Sequence, residues 1–254
     1  MIALATILSL LKLVDLPYGG SITFASMLPI LLIAYRHGTL WGILTASVHG
    51  ILQLVLGTSS LSYVTGFASV AAVIILDYIL AFTLIGLAGI FKKMKSQKSA
   101  LLLGALLAGI LRYTCHTIAG ATVWAGLSIP TAGALSYSLI YNATYMIPET
   151  IVLCLAALYI GSILNFSTPR LAPIKPENQG KLSWLSYVGG AFALAALVYD
   201  TAAVFSKLQN SESGDFDITG IASVNWTGVI IVTAVGFVLA TIFVLIPKFA
   251  SKKA

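Results

Sequence analysis

Residues 99–126 read SALLLGALLAGILRYTCHTIAGATVWAG, an apolar run with an arginine, Arg112, near its middle and a histidine, His116, one turn further on. At about 1.5 Å per residue the run can cross a hydrocarbon core of about 30 Å as one helix. An ionisable group in that medium is costly, so such side chains face a bundle interior or a wet cavity and mark a site. The rest of the chain repeats the apolar pattern: of 254 residues, 59% are hydrophobic and 9% charged, with a mean hydropathy of +0.99. Comparable runs lie near 1–16, 22–36, 40–57, 66–91, 135–165, 183–206 and 224–247, which makes eight expected spans. Barrel strands would show shorter stretches alternating apolar and polar residues, a pattern absent here. The expected class is an all-α integral membrane protein.

Alternate connections between these spans differ sharply in charge. One side carries Arg36 and His37, then Lys92, Lys93, Lys95 and Lys98, then Arg170, Lys175 and Lys181, then Lys248, Lys252 and Lys253. The other side holds Lys207 against Glu212, Asp215 and Asp217 in one loop and almost no other charge. The positive-inside rule then makes both termini cytoplasmic, and the net charge of +6 reflects orientation in lipid rather than nucleic-acid binding. The stretch TPRLAPIKPENQGKL is polar and holds three prolines, so residues 167–182 are expected to be a cytoplasmic linker between a membrane core, 1–166, and a two-helix segment, 183–254. MIALATILSLLKL lacks a signal-peptide cleavage site and reads as part of the mature fold, although it is short for a span and leaves room for an upstream start. Cys115 and Cys154 both fall in apolar segments and read as buried small hydrophobes. No phosphate-binding loop, metalloprotease helix or nucleophile elbow occurs, so the chain is expected to be no enzyme, to carry no cofactor and to leave ATP hydrolysis to others.

The polar residues inside the spans form faces. Arg112, His116, Gly120 and Trp124 recur every four residues along one side of the fifth span, and Asn142, Tyr145 and Glu149 follow 3-and-4 spacing on the sixth, where Pro148 removes a backbone donor. Asp77 and Tyr78 stand together in VIILDYILAF of the fourth, with Tyr137 near the start of the sixth. Arg112 and Glu149 come out at similar mid-membrane depth on antiparallel neighbours, so an ion pair between them competes with direct ligand contact, and both are read as structural. Trp124 and Tyr137 also suit an interfacial aromatic belt. Asp77 has no basic residue nearby on its own helix. A carboxylate beside aromatic rings suits a flat organic cation, to which Asn142 and His116 would add directional hydrogen bonds.

These residues, in this order, resemble a known family. YGGSITFASMLPILLIAYRHGTLWGILTASVHGILQ, LDYILAFTLIGLAGIF, RYTCHTIAGATVW and SYSLIYN together look like the ThiT thiamine-binding S components of energy-coupling factor (ECF) transporters, over about residues 1–166. The resemblance implies a six-helix S-component bundle, here with two additional C-terminal transmembrane helices. It implies thiamine as ligand, held by Asp77, Tyr78, His116, Trp124, Tyr137 and Asn142. It further implies a bacterial plasma membrane and partnership with an ECF coupling transmembrane subunit and two ATPase subunits. Departures are an aspartate where the family often has glutamate, and Gly20 where a tryptophan can close the first loop. Two other readings stay open: a self-sufficient proton-coupled transporter using Asp77, Arg112, His116 and Glu149 as a relay, and a membrane interaction or sensor subunit.

Overall fold

The computed structural model describes residues 1–16, 19–126, 131–166, 168, 170–174, 184–209 and 216–251, with the side chains of 59, 60, 63, 124, 126, 131, 132 and 248–251 excluded. The chain divides into two compact units, Met1–Pro173 and Ile174–Ala254.

The first unit departs at once from the expected span at 1–16. Helix α1 covers only Ile2–Leu10, about 14 Å at the usual rise, and the chain then enters strand β1 (Lys12–Asp15), antiparallel to β2 (Ser21–Thr23). Lys12 and Asp15 end the apolar run with an ion pair of 2.9 Å, and Gly19, at φ +100°, takes a left-handed position between the strands that glycine adopts without strain. The expected span at 22–36 is likewise shorter. Ala25, at φ +51°, turns the chain out of β2, and α2 begins only at Leu28, with Pro29 in its first turn, and ends at His37. Gly38, at φ +96°, links it to α3 (Thr39–Leu56).

The next long helix after α3, Phe67–Lys93, is continuous but not uniform. A regular turn, α4 (Phe67–Ala72), gives way to a π-helical stretch over Val73–Leu80, then to α5 (Ala81–Thr83) and tighter 3₁₀ turns over Leu84–Lys93. Helices α6 (Gln97–Gly126) and α7 (Thr131–Ile163) are the longest and pack along each other. Strands β3 (Leu164–Asn165) and β4 (Ala172–Pro173) pair antiparallel, so the start of the expected linker is tied back to the end of α7. Residues 167, 169 and 175–183 of that region lie outside the described residues.

In the second unit, α8 (Leu185–Leu208) and α9 (Trp226–Ser251) pack together. Phe192 stacks on Phe243 with ring centres 5.5 Å apart, and the Thr233 hydroxyl meets Asp200 Oδ2 at 2.6 Å. Of the acidic loop between these helices, Glu212 and Asp215 lie outside the described residues, while Asp217 accepts from the backbone and hydroxyl of Thr219. Those two bonds hold the exposed Asp217 carboxyl below its ordinary range.

Among the described residues, six helices are long and apolar enough to cross a membrane: α3, Phe67–Lys93, α6 and α7 in the first unit, α8 and α9 in the second. Expectation and structure therefore agree on the later six runs and differ on the first two, where turn chemistry interrupts apolar sequence. The basic end of the first unit is drawn together: an Arg36 Nη donates to the Thr168 carbonyl at 3.4 Å, and the Lys92 side chain reaches Gly38.

Small residues let the helices of the first unit touch backbone to backbone, the usual basis of helix association in lipid. A Cβ on Gly42 would stand 2.8 Å from the Gly86 carbonyl oxygen, and one on Gly86 would fall on the Ile43 backbone nitrogen. Gly86→Ala should therefore force α3 and the helix Phe67–Lys93 apart and destabilise the protein by about 1–3 kcal/mol. Gly190→Ala, where a Cβ meets nothing within 4 Å, should leave stability unchanged or higher. Thermal unfolding in detergent, followed by tryptophan fluorescence, checks the contrast.

Candidate functional site

The helices of the first unit and the β1–β2 hairpin enclose a cavity of about 470 Å³. Asp77 and Tyr78 reach it from the π-helical stretch, His116 and Gly120 from α6, and Asn142 and Tyr145 from α7. Arg112, His116 and Gly120 of the α6 stripe thus face inward, as their spacing predicts. Gly120 belongs to it because a Cβ there would collide with Ser138 and stand 3.2 Å from Asn142 Nδ2, so its absence brings α7 close. The widened turn that carries Asp77 and Tyr78 is of a kind found frequently at functional sites.

Asp77 has a partner after all, on a different helix. Its Oδ1 lies 2.9 Å from His116 Nδ1, with a quarter of the Asp77 side chain and a tenth of the His116 side chain accessible. A carboxylate at Nδ1 holds the proton there, which leaves Nε2 as an acceptor in the neutral ring. Nε2 is buried and has no protein partner, and Asp77 Oδ2 likewise makes no hydrogen bond among the described residues. The pair therefore presents one free carboxylate oxygen and one free imidazole nitrogen.

Asn142 lines the cavity with most of its hydrogen-bonding capacity already engaged. Its amide donates to the Ser138 carbonyl at 2.8 Å, to Ser138 Oγ at 3.1 Å and to the His116 carbonyl at 3.3 Å, while its oxygen accepts from the Tyr145 hydroxyl at 2.5 Å. Both amide protons are committed, so a ligand could use only the remaining lone pair of Oδ1. The bonds instead fix Tyr145, whose ring lies 6.1 Å from His116 and edge-on to Tyr141 at 5.8 Å.

Arg112 and Glu149 both line the cavity, yet no ion pair joins them within 4.0 Å. Glu149 is claimed by the hairpin: its Oε2 accepts from the Thr23 backbone N–H and its Oε1 from the Thr23 hydroxyl, each at 2.6 Å, with Ser26 Oγ at 3.5 Å. Arg112 Nη1 points to Met27 Sδ at 2.8 Å, and its guanidinium carbon sits 4.6 Å above the Phe82 ring. Local donors and a ring face have displaced the direct pairing that depth alone suggests.

Tyr137 is half-buried on α7 and does not reach the cavity wall; it stands a turn before Tyr141, towards residues 127–130, which are outside the described set. The Trp124 side chain is also outside it, although its backbone continues the α6 stripe. Tyr141 is a wall residue that sequence spacing left unnoticed, despite lying next to Asn142 and four before Tyr145. Its hydroxyl accepts from the Gly20 N–H at 3.1 Å, and a Cβ on Gly20 would lie 2.8 Å from the Tyr145 ring. Gly20 thus lets the hairpin backbone rest directly on two tyrosines.

The family model of the thiamine transporter protein (Thia_YuaJ) matches residues 1–170. Thiamine transporter ThiT of Bacillus subtilis is 34% identical over 191 residues, which covers 67% of this chain and 89% of that protein. Thiamine transporter ThiT of Lacticaseibacillus paracasei is 29% identical over 172 residues, covering 62% of this chain and 76% of that protein. The cavity-bearing unit and the matched region coincide almost residue for residue, and the chain is a multi-pass membrane protein that belongs to the thiamine transporter (Thia_YuaJ) family.

Proposed function

We propose that the chain captures thiamine from outside a bacterial plasma membrane as the substrate-binding S component of an ECF importer. A coupling transmembrane subunit and two ATPase subunits would drive uptake, and both termini would face the cytoplasm. The observation that carries the reading is the charge of the cavity. Asp77 and Glu149 place two carboxylates on its wall against the single guanidinium of Arg112, while Lys12 and Asp15 cancel each other at 2.9 Å. With these groups in their ordinary charge states the wall would carry one surplus negative charge, which suits a monocation such as thiamine. The free Oδ2 of Asp77 would face the thiazolium, rings of Tyr78, Tyr141 and Tyr145 would border it, and His116 Nε2 would accept from the aminopyrimidine amino group. Trp124 and Tyr137 would complete the enclosure from the far end of α6 and the start of α7, and Asn142 would hold Tyr145 in place. The basic residues gathered near Gly38 and Thr168 support a cytoplasmic position for that end.

The buried carboxylate–imidazole contact also favours a second reading, proton-coupled transport without ATPase partners, since such a pair can exchange a proton. Uptake by vesicles holding this chain alone, abolished by a protonophore, would establish that reading; uptake only when coupling and ATPase subunits are present supports the first.

Two binding measurements test the site itself. Asp77→Asn should weaken thiamine by about 10–100-fold in calorimetric titration while changing the affinity of the uncharged pyrimidine moiety by less than about threefold. Equal loss for both ligands would remove the cation-pairing role. Thiamine should also quench tryptophan fluorescence, and Trp124→Phe should abolish most of the quenching while leaving binding measurable by heat; quenching that persists would place the ligand away from that ring.

A further inference from the structure

Tyr78 is gripped by α3 at two points. A Cβ at Gly50 would stand 2.7 Å from the Tyr78 carbonyl oxygen and 3.1 Å from Phe82 Cβ. One at Gly57 would fall on the Tyr78 hydroxyl and lie 3.0 Å from the ring carbon Cε1. The same hydroxyl donates to the Gly57 carbonyl at 3.0 Å. Neither glycine is required by its backbone: Gly57 has φ −99°, and Gly50 lies inside a regular helix, where glycine costs stability relative to alanine. What both positions supply is the lack of a side chain.

The two contacts bear on the π-helical stretch Val73–Leu80. Its turns are wider than those of an α-helix, and they pass close to Gly50, where a Cβ would stand 2.7 Å from the Tyr78 carbonyl oxygen and 3.6 Å from that of Ile79. Asp77 directly precedes Tyr78, so whatever seats the Tyr78 main chain also sets the Asp77 Cα. Aspartate has a short side chain, and a shift of its backbone passes to its carboxylate oxygens almost undiminished. An aspartate that must reach His116 at 2.9 Å across to α6 has little slack with which to absorb such a shift.

We propose that Gly50 and Gly57 are positioning residues for the cation-binding end of the cavity: two notches, one in α3 and one at its C-cap, that seat Tyr78 and so hold the Asp77 carboxylate within reach of both His116 and a cationic ligand. The inference rests on the thiamine reading given above, and its test separates the two.

The full chain in detergent is titrated calorimetrically with thiamine and with its uncharged aminopyrimidine moiety, in wild type, Gly57→Ala, Tyr78→Phe and the double variant. Gly57→Ala weakens thiamine by at least about tenfold and the pyrimidine by less than about threefold, because the Tyr78 ring and the neighbouring Asp77 carboxylate, which face the thiazolium, shift while the groups facing the pyrimidine remain. The double variant lacks the hydroxyl that meets the new methyl group, so it binds thiamine more tightly than Gly57→Ala alone, a non-additivity that general loosening would not produce. Gly50→Ala shows the same split between ligands and carries the test if Gly57→Ala does not fold. Equal loss of both ligands, thiamine binding within about threefold of wild type, or simple additivity in the double variant overturns the proposal. A folded wild type that binds no thiamine overturns the proposed function instead. The notches are then judged by the ¹⁵N resonances of the His116 ring, which shift in Gly57→Ala and return in the double variant if the proposal holds, and stay unmoved if it does not.

Discussion

The contact of 2.9 Å between Asp77 on the helix Phe67–Lys93 and His116 on α6 is the one on which the arrangement of the cavity depends. Hydrocarbon offers no hydrogen-bond partners, so a carboxylate carried into a span must find its donor on another helix. That requirement brings two helices into register and extends further. The His116 carbonyl accepts from Asn142 on α7, and Asn142 in turn accepts from Tyr145. A continuous polar chain thereby links three helices, and Asp77 and His116 both line the cavity, with His116 Nε2 buried and without a partner among the described residues.

A second carboxylate organises the N-terminal segment in the same way. Glu149 lies buried on α7 just after Pro148 and draws in two donors from Thr23, so the β1–β2 hairpin is held against α7 rather than left in lipid. Gly20 completes the seating by letting the hairpin backbone approach Tyr141 and Tyr145. Arg112, in direct pairing with neither acid, rests over Phe82 and lines the same cavity as the two carboxyl groups. Small residues recur wherever these elements touch, at Gly42 and Gly86, at Gly109 against Thr150 and at Gly120 against Ser138. Removal of side chains brings polar backbone and functional groups within bonding distance, which bulkier helices could not achieve.

The second unit follows the same rules with fewer polar groups. Gly189 and Gly236 admit α9 against α8, Phe192 and Phe243 stack, and Thr233 serves as the partner of Asp200. The outward faces of the pair remain almost wholly apolar, as helices surrounded by lipid require.

The class of the protein, the inward stripe of α6 and the polar spacing of α7 were legible in the sequence because they follow from hydropathy and helical periodicity, which are local. The resemblance carried by YGGSI through SYSLIYN pointed to the family to which the chain belongs. Sequence alone misjudged the first 36 residues, since Lys12, Asp15, Gly19, Ala25 and Pro29 act through turn geometry that a hydropathy count does not see. It missed Tyr141, and it joined Arg112 to Glu149 by depth. Only the tertiary structure decided that Asp77 meets His116, that Glu149 belongs to Thr23, and that Asn142 is occupied by Ser138 and Tyr145. Partner choice among buried polar groups depends on distances of tenths of an ångström between separate helices. Those distances are set by packing, not by any spacing along the chain.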